Sequence, residues 1–131
     1  MMQRRPVAEE TVSRVRSELS KFSPQEGLSF LELLAHNLTI AVRIAADDRI
    51  PNGELSEEEA RNAMYWINES IHDVVQRTRE LRIQQRVWDA DDITEWIVVW
   101  LGYKHAAGYI ETAVERSFWE MTHPCNQRPS A

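Results

Sequence analysis

The segment from Asp91 to Met121 carries three of the chain's five tryptophans, and its apolar residues recur at helical spacing over most of its length. A helix with one apolar face has to bury that face against neighbouring helices or against a partner. The residues predicted to share this face are Trp96, Trp100, Tyr103, Ala107, Ile110, Val114, Phe118 and Met121. Its first two turns also contain Ile97, Val98 and Leu101 off that face, so the start of the helix is apolar nearly all round.

Two serines mark the starts of two other long helices. Ser23 is followed by Pro24 and by Glu26 three residues on, which is a capping box with proline at the first helical position. Ser56 is followed by Glu59 in the same spacing. The patterns predict helices from Ser23 to a turn at residues 47–53 and from Ser56 to about Arg86, and either Asp91 or Asp92 is expected to cap the fourth helix.

The helix that starts at Ser23 has apolar residues on two faces, which predicts neighbours on two sides and a central position. The main face contains Leu31, Leu34, Ala35, Leu38, Ala41, Val42 and Ala45, and the second face contains Phe30, Leu33, Ile40 and Ile44. A shorter amphipathic helix is predicted over residues 8–22.

These elements predict an all-α fold, an antiparallel up-down helical bundle of three long helices plus a short N-terminal helix. A single domain is expected over residues 8–122, with a flexible N-terminus at 1–7 and a flexible C-terminal tail at 123–131.

Composition narrows the classes of function. The net charge of −6 argues against general binding to phosphate backbones. A single cysteine excludes an intramolecular disulfide and agrees with a reducing compartment. The longest apolar run, 96–101, is far short of the roughly 20 residues that cross a bilayer. We therefore expect a cytoplasmic protein with no membrane association, and no motif in the sequence indicates a cofactor.

Four side chains have the residue types of a metal site in a helical bundle. Glu69 and His72 have the Glu-x-x-His spacing of di-iron bundles, and Glu32 lies one turn before His36. However, the Glu-x-x-His motif occurs once rather than twice, and helical-wheel positions place all four outside the apolar stripes. We expect solvated side chains, and a metal-dependent bundle enzyme is kept as an alternative.

One basic cluster lies near the end of the third helix. Arg79, Arg82 and Arg86 recur at three- and four-residue spacing and share a face that could contact an anion. A nucleic-acid-associated regulator is therefore a further alternative, although the acidic total opposes it. The simpler interpretation pairs Arg82 and Arg86 with the acidic turn at residues 89–92.

The tryptophans outside the apolar stripes suggest a contact surface. Trp66 and Trp119 fall off the main stripes of their helices, and Trp88 precedes the fourth helix. Such apolar surface is typical of interfaces. The expected function is a small non-catalytic protein–protein interaction module, a regulator, inhibitor or adaptor, that binds a protein partner or itself as a homodimer. The expected contact residues are Trp66, Trp88, Ile97, Val98, Leu101 and Trp119.

Overall fold

The computed structural model describes residues 6–48, 55–84 and 87–123. In these ranges the chain forms five helices packed against one another: α1 (Glu9–Ser20), α2 (Pro24–Asp47), α3 (Glu57–Ile83), α4 (Ala90–Leu101) and α5 (Ala107–Thr122). The predicted all-α class is confirmed for the described residues. The predicted flexible segments lie mostly outside these ranges, as does Arg86, the expected last residue of the third helix.

Both serine capping boxes form as predicted. The Ser23 hydroxyl accepts a hydrogen bond from the backbone N–H of Glu26, and the Glu26 carboxylate accepts one from the backbone N–H of Ser23. Ser56 and Glu59 make the same reciprocal pair at the start of α3. At α4 the cap is Asp89, whose carboxylate accepts from the backbone N–H groups of residues 91 and 92. The prediction of a cap at Asp91 or Asp92 was therefore wrong by two or three residues.

The capping box of α3 is expected to weaken in acid. Hydrogen bonds from Ser56, first from its backbone and then from its side chain, hold the pKa of Glu59 below its ordinary value of 4.5. Because the folded-state pKa is the lower one, the stabilisation is complete above pH 4.5 and is lost as the pH falls through the folded pKa. Glu59→Gln keeps an acceptor but cannot titrate. Thermal unfolding between pH 7 and 3 should show the two midpoints converging below pH 4.5, and a pH-independent difference would contradict this account.

The predicted fourth helix is interrupted between Leu101 and Ala107, which corrects the expectation of one continuous helix. Gly102 ends α4, and the backbone N–H of Ala107 donates to the carbonyl of Tyr103 at 2.8 Å, which starts α5. A glycine inside a helix costs about 1 kcal/mol relative to alanine, so the helix is weakest at this point. The interruption lets the Tyr103 ring stack on Trp66, with ring centroids 4.3 Å apart.

The interruption also separates two apolar helix faces that the sequence pattern assigns to one continuous helix. On α4 alone, the buried apolar residues recur at the i, i+4, i+7 and i+8 spacing of one helical face; they are Ile93, Ile97, Trp100 and Leu101. On α5 the buried apolar residues are Ala107, Ile110, Ala113, Val114 and Phe118. The two sets would be out of phase on one straight helix, and for that reason Ile97 and Leu101 were assigned outside the core face.

The central position of α2 is confirmed, because α2 packs against both α3 and α5, whereas α1 packs mainly against α4. Its main apolar face is buried as predicted, with Leu31, Leu34, Leu38, Ala41 and Ala45 in the core. The second face is fully buried only at its start, where Phe30 stacks on Phe118 with ring centroids 4.9 Å apart, and Leu33 and Ile40 are partly exposed. Further along this face, Ile44 remains 45 % exposed.

By length and composition alone, α2 is also apolar enough to cross a membrane. A core helix of a soluble protein meets the same criterion, and α2 is the helix on which α3 and α5 pack. The expectation of no membrane association therefore stays a prediction.

Candidate functional site

Trp66 and Trp88, two of the predicted contact residues, pack against the chain's own core. The Trp66 ring lies on Tyr103, and its indole N–H donates to the Asn62 side-chain oxygen at 3.2 Å. Trp88 lies over Gly27, and its indole N–H donates to the carbonyl of Leu19 at 3.3 Å. Both side chains are only partly exposed, so each offers a partner less apolar surface than the sequence predicts.

The predicted apolar start of the fourth helix is covered as well. Ile97 is fully buried and Leu101 nearly so, because α1, α3 and α5 all contact α4. A partner could not reach either side chain without unfolding part of the core. Val98 is half-buried. Ile97 and Leu101 are therefore corrected from contact residues to core residues.

Trp119 keeps the exposure that its sequence position predicts. It lies on α5, is 50 % exposed, and stacks on His123 with ring centroids 4.1 Å apart. Along α5, a row of exposed positions at helical spacing leads up to it. We call this row the α5 outer face; it consists of Gly108, Thr112, Arg116 and Trp119.

A groove of about 330 Å³ runs beside the α5 outer face, between α2 and α5. Its lining is mainly apolar and comes from the uncovered part of the second face of α2 together with α5. We call it the α2–α5 groove; it is lined by Asn37, Ile40, Ala41, Ile44, Asp48, Gly108, Tyr109, Thr112, Ala113 and Arg116. Its volume lies within the roughly 300–1,000 Å³ usual for ligand sites.

The two ends of the groove differ in charge. Arg116 lies at one end, with its side chain 61 % exposed and 3.5 Å from the Glu120 carboxylate on the same helix. Asp48 lies at the other end, where its carboxylate accepts a hydrogen bond from the Tyr109 hydroxyl at 2.8 Å. The groove therefore has a cationic end and an anionic end.

Asn37 is the buried polar residue of the groove, with 3 % exposure. Its side-chain N–H group donates to the Ser117 hydroxyl and to the Glu120 carboxylate, both at 2.9 Å. These bonds tie α2 to α5. The Asn37 side-chain oxygen has no hydrogen-bond partner among the described residues. A buried acceptor without a donor is costly, and this oxygen is a further polar group in the lining of the groove.

A second, shallower depression adjoins the groove on the other side of the α5 outer face. It is lined by Arg14 and Glu18 of α1 and by Glu115, Phe118 and Trp119 of α5. Thr112 and Arg116 line both depressions. The α5 outer face is therefore a ridge with a recess on each side, and Trp119 stands at the C-terminal end of the ridge.

The sequence did not indicate the groove. Ile40 and Ile44 were assigned to a buried second face, and Tyr109 and Arg116 were not singled out. One signal was available. The apolar residues of the second face of α2 continue beyond the part of the helix that aromatic side chains cover. Phe30 stacks on Phe118, whereas Ile44 stays exposed.

The predicted arginine cluster does not form a free cationic patch. Arg82 makes an ion pair with Glu32 of α2, Arg79 is exposed, and Arg86 lies outside the described residues. The predicted pairing of Arg82 with the acidic turn was therefore wrong. Within that turn, Asp91 pairs with Arg16 at 3.0 Å, and Asp92 lies 3.6 Å from Arg77.

The four metal candidates are not gathered into a site. Glu32, His36, Glu69 and His72 are all exposed, and Glu32 is engaged by Arg82. Among the residues that the structure describes, no group of three or more histidine, cysteine or acidic side chains is placed to hold a metal ion. The described side chains thus provide no set of ligands for the metal-enzyme alternative.

Comparison of the chain with family models, with curated proteins and with solved structures finds no match in any of the three.

Proposed function

We propose that this protein is a non-catalytic helical module, a regulator, inhibitor or adaptor, that acts by binding a protein chain through the α5 outer face and the α2–α5 groove. One observation carries the proposal: Trp119 and Ile44 are half exposed on the two helices that form the groove. Ile44 lines the groove, and Trp119 lines the adjoining depression on the other side of the α5 outer face. Exposed large apolar side chains are typical of interfaces, and tryptophan and arginine are enriched among residues that dominate binding energy.

The proposed contact surface differs from the one that the sequence suggested. Trp119 remains in it, and Ile40, Ile44, Tyr109 and Arg116 join it. Ile97 and Leu101, which lie in the core, and Trp66 and Trp88, which pack against the core, leave it. Val98 lies on α4 and is not part of this surface.

We also propose that the helices form an antiparallel up-down bundle in which α4 and α5 together take the place of one long helix, and that the protein is cytoplasmic. The contact of Asn37 with Ser117 and that of Asp48 with Tyr109 support opposite directions for α2 and α5. The ion pair of Glu32 with Arg82 supports the same for α2 and α3.

Site-specific photo-crosslinking tests the function. A photoreactive amino acid at Thr112, which is exposed and lines both recesses, is expected to form covalent adducts with a protein chain in the cells that express the gene. The matched control carries the same group at Gln76, an exposed position on α3. We expect strong adducts from position 112 and few from position 76.

Trp119→Ala in the chain labelled at position 112 should remove most of the adduct, because the indole supplies much of the exposed apolar area. A melting curve would establish that the variant remains folded. Equal labelling from positions 112 and 76, or adducts that persist without Trp119, would contradict the proposal.

A further inference from the structure

The α5 outer face has a projecting side chain at one end and, at the other, open space over a glycine that borders the α2–α5 groove; we call this open space the hollow. Trp119 projects at the C-terminal end, and Gly108 lies three helical turns away, roughly 16 Å along the axis. A Cβ atom built on Gly108 would have no neighbour within 4 Å, so the space above this residue is open. At about 100° per residue the two positions lie within about 20° of each other around the helix, so they belong to one face.

The charged groups also differ between the two ends of the α5 outer face. The cationic end of the groove, at Arg116, lies one turn from Trp119, whereas the anionic end, at Asp48, lies beside Tyr109 and Gly108. One end of this surface therefore presents a bulky indole and an exposed guanidinium that pairs with Glu120, and the other presents open space and the Asp48 carboxylate.

We infer that the partner of this surface is a second copy of the chain, docked through a two-fold axis with the two α5 helices antiparallel. In such a pair each contact occurs twice, since residue i of one copy meets residue j of the other and the reverse. Trp119 then enters the hollow above Gly108 of the second copy, next to that copy's Ile44. Arg116 lies level with Asp48 of the second copy. This inference rests on the proposed function and names the occupant of the same surface.

A parallel pair of α5 helices would not use these features. It would bring Arg116 against Arg116 and Trp119 against Trp119, and would leave the hollow above Gly108 empty. Like charges placed opposite each other across an interface are unfavourable, and they select against the wrong arrangement. In the antiparallel pair each Arg116 lies opposite an Asp48, and each Trp119 fills the hollow above a Gly108. The same surface therefore supplies both sides of each contact.

A charge-exchange experiment tests the pairing. Arg116→Asp and Asp48→Arg each put like charges together in a homodimer, whereas an equimolar mixture of the two variants restores opposite charges at both contacts. By sedimentation velocity we expect the wild type to dimerise. Each variant alone should dissociate with a Kd raised by at least about tenfold, and the mixture should form heterodimers.

Two further variants separate pairing from folding. Arg79→Asp reverses a charge at an exposed position of α3 outside this surface, so it controls for the charge change itself and should leave the dimer intact. Gly108→Gln fills the hollow and also raises helix propensity, so it should abolish the dimer while the melting temperature of the monomer rises.

A wild-type chain that stays monomeric at a few hundred micromolar overturns the inference, and so does a mixture that fails to form heterodimers. If the chain is monomeric while position 112 still crosslinks to another protein, self-pairing is wrong and the proposed function stands. If position 112 gives no adduct, the proposed function fails as well.

Discussion

Replacing Trp100 with alanine is expected to lower the free energy of unfolding by about 3–5 kcal/mol. The side chain is 1 % exposed, and it lies on the buried face of α4, which α1, α3 and α5 contact. Its removal leaves a cavity that rigid neighbouring helices cannot fill. Domains of this size are stable by only about 5–15 kcal/mol, so the variant should be at the edge of folding.

The indole N–H of Trp100 donates to the Asp73 carboxylate of α3 at 3.0 Å. The free energy lost with the buried volume can therefore be separated from that lost with this hydrogen bond. Trp100→Phe keeps most of the apolar volume and loses the hydrogen bond, so it should cost less than the alanine variant. Urea denaturation measures both. Trp119→Ala is the matched control, and on a half-exposed site it should cost less than about 1 kcal/mol. Similar costs at positions 100 and 119 would show that the division into core and surface tryptophans is wrong.

Those two tryptophans illustrate what local sequence can predict. Helical periodicity placed Trp100 inside and Trp119 outside, and the structure agrees in both cases. The starts of α2 and α3 were also predicted, since a capping box is contained within four consecutive residues. These features depend on neighbours in sequence, so periodicity and spacing are sufficient to find them.

Features that depend on distant residues were missed. The interruption at Gly102 accompanies the packing of Tyr103 on Trp66, a residue of another helix. The phase change that follows hid the burial of Ile97 and Leu101. The groove was missed for a similar reason, because the exposure of Ile44 depends on which part of α2 its neighbours cover. The sequence therefore predicted Trp119 as part of the proposed surface but did not indicate Ile40, Ile44, Tyr109 and Arg116, which line the groove.

The contact between Gly27 and Trp88 is another long-range feature, and it leads to a second large effect. Gly27→Ala is expected to destabilise the protein by about 1–3 kcal/mol, although alanine is the better helix former. A Cβ atom at position 27 would overlap two carbons of the Trp88 ring. The ring cannot move away easily, because its N–H is bonded to the Leu19 carbonyl and it packs near Phe22.

A double-mutant cycle isolates this clash. In a Trp88→Ala background the space above Gly27 is open, so Gly27→Ala should become neutral or stabilising there, and the sign of its effect should reverse. Gly108→Ala is the matched control, since its Cβ meets nothing within 4 Å and should stabilise by about 0.5–1 kcal/mol. Urea denaturation at low protein concentration keeps any self-association out of the comparison. If Gly27→Ala destabilises equally with and without the Trp88 indole, the cost arises in α2 itself and not from the contact with Trp88.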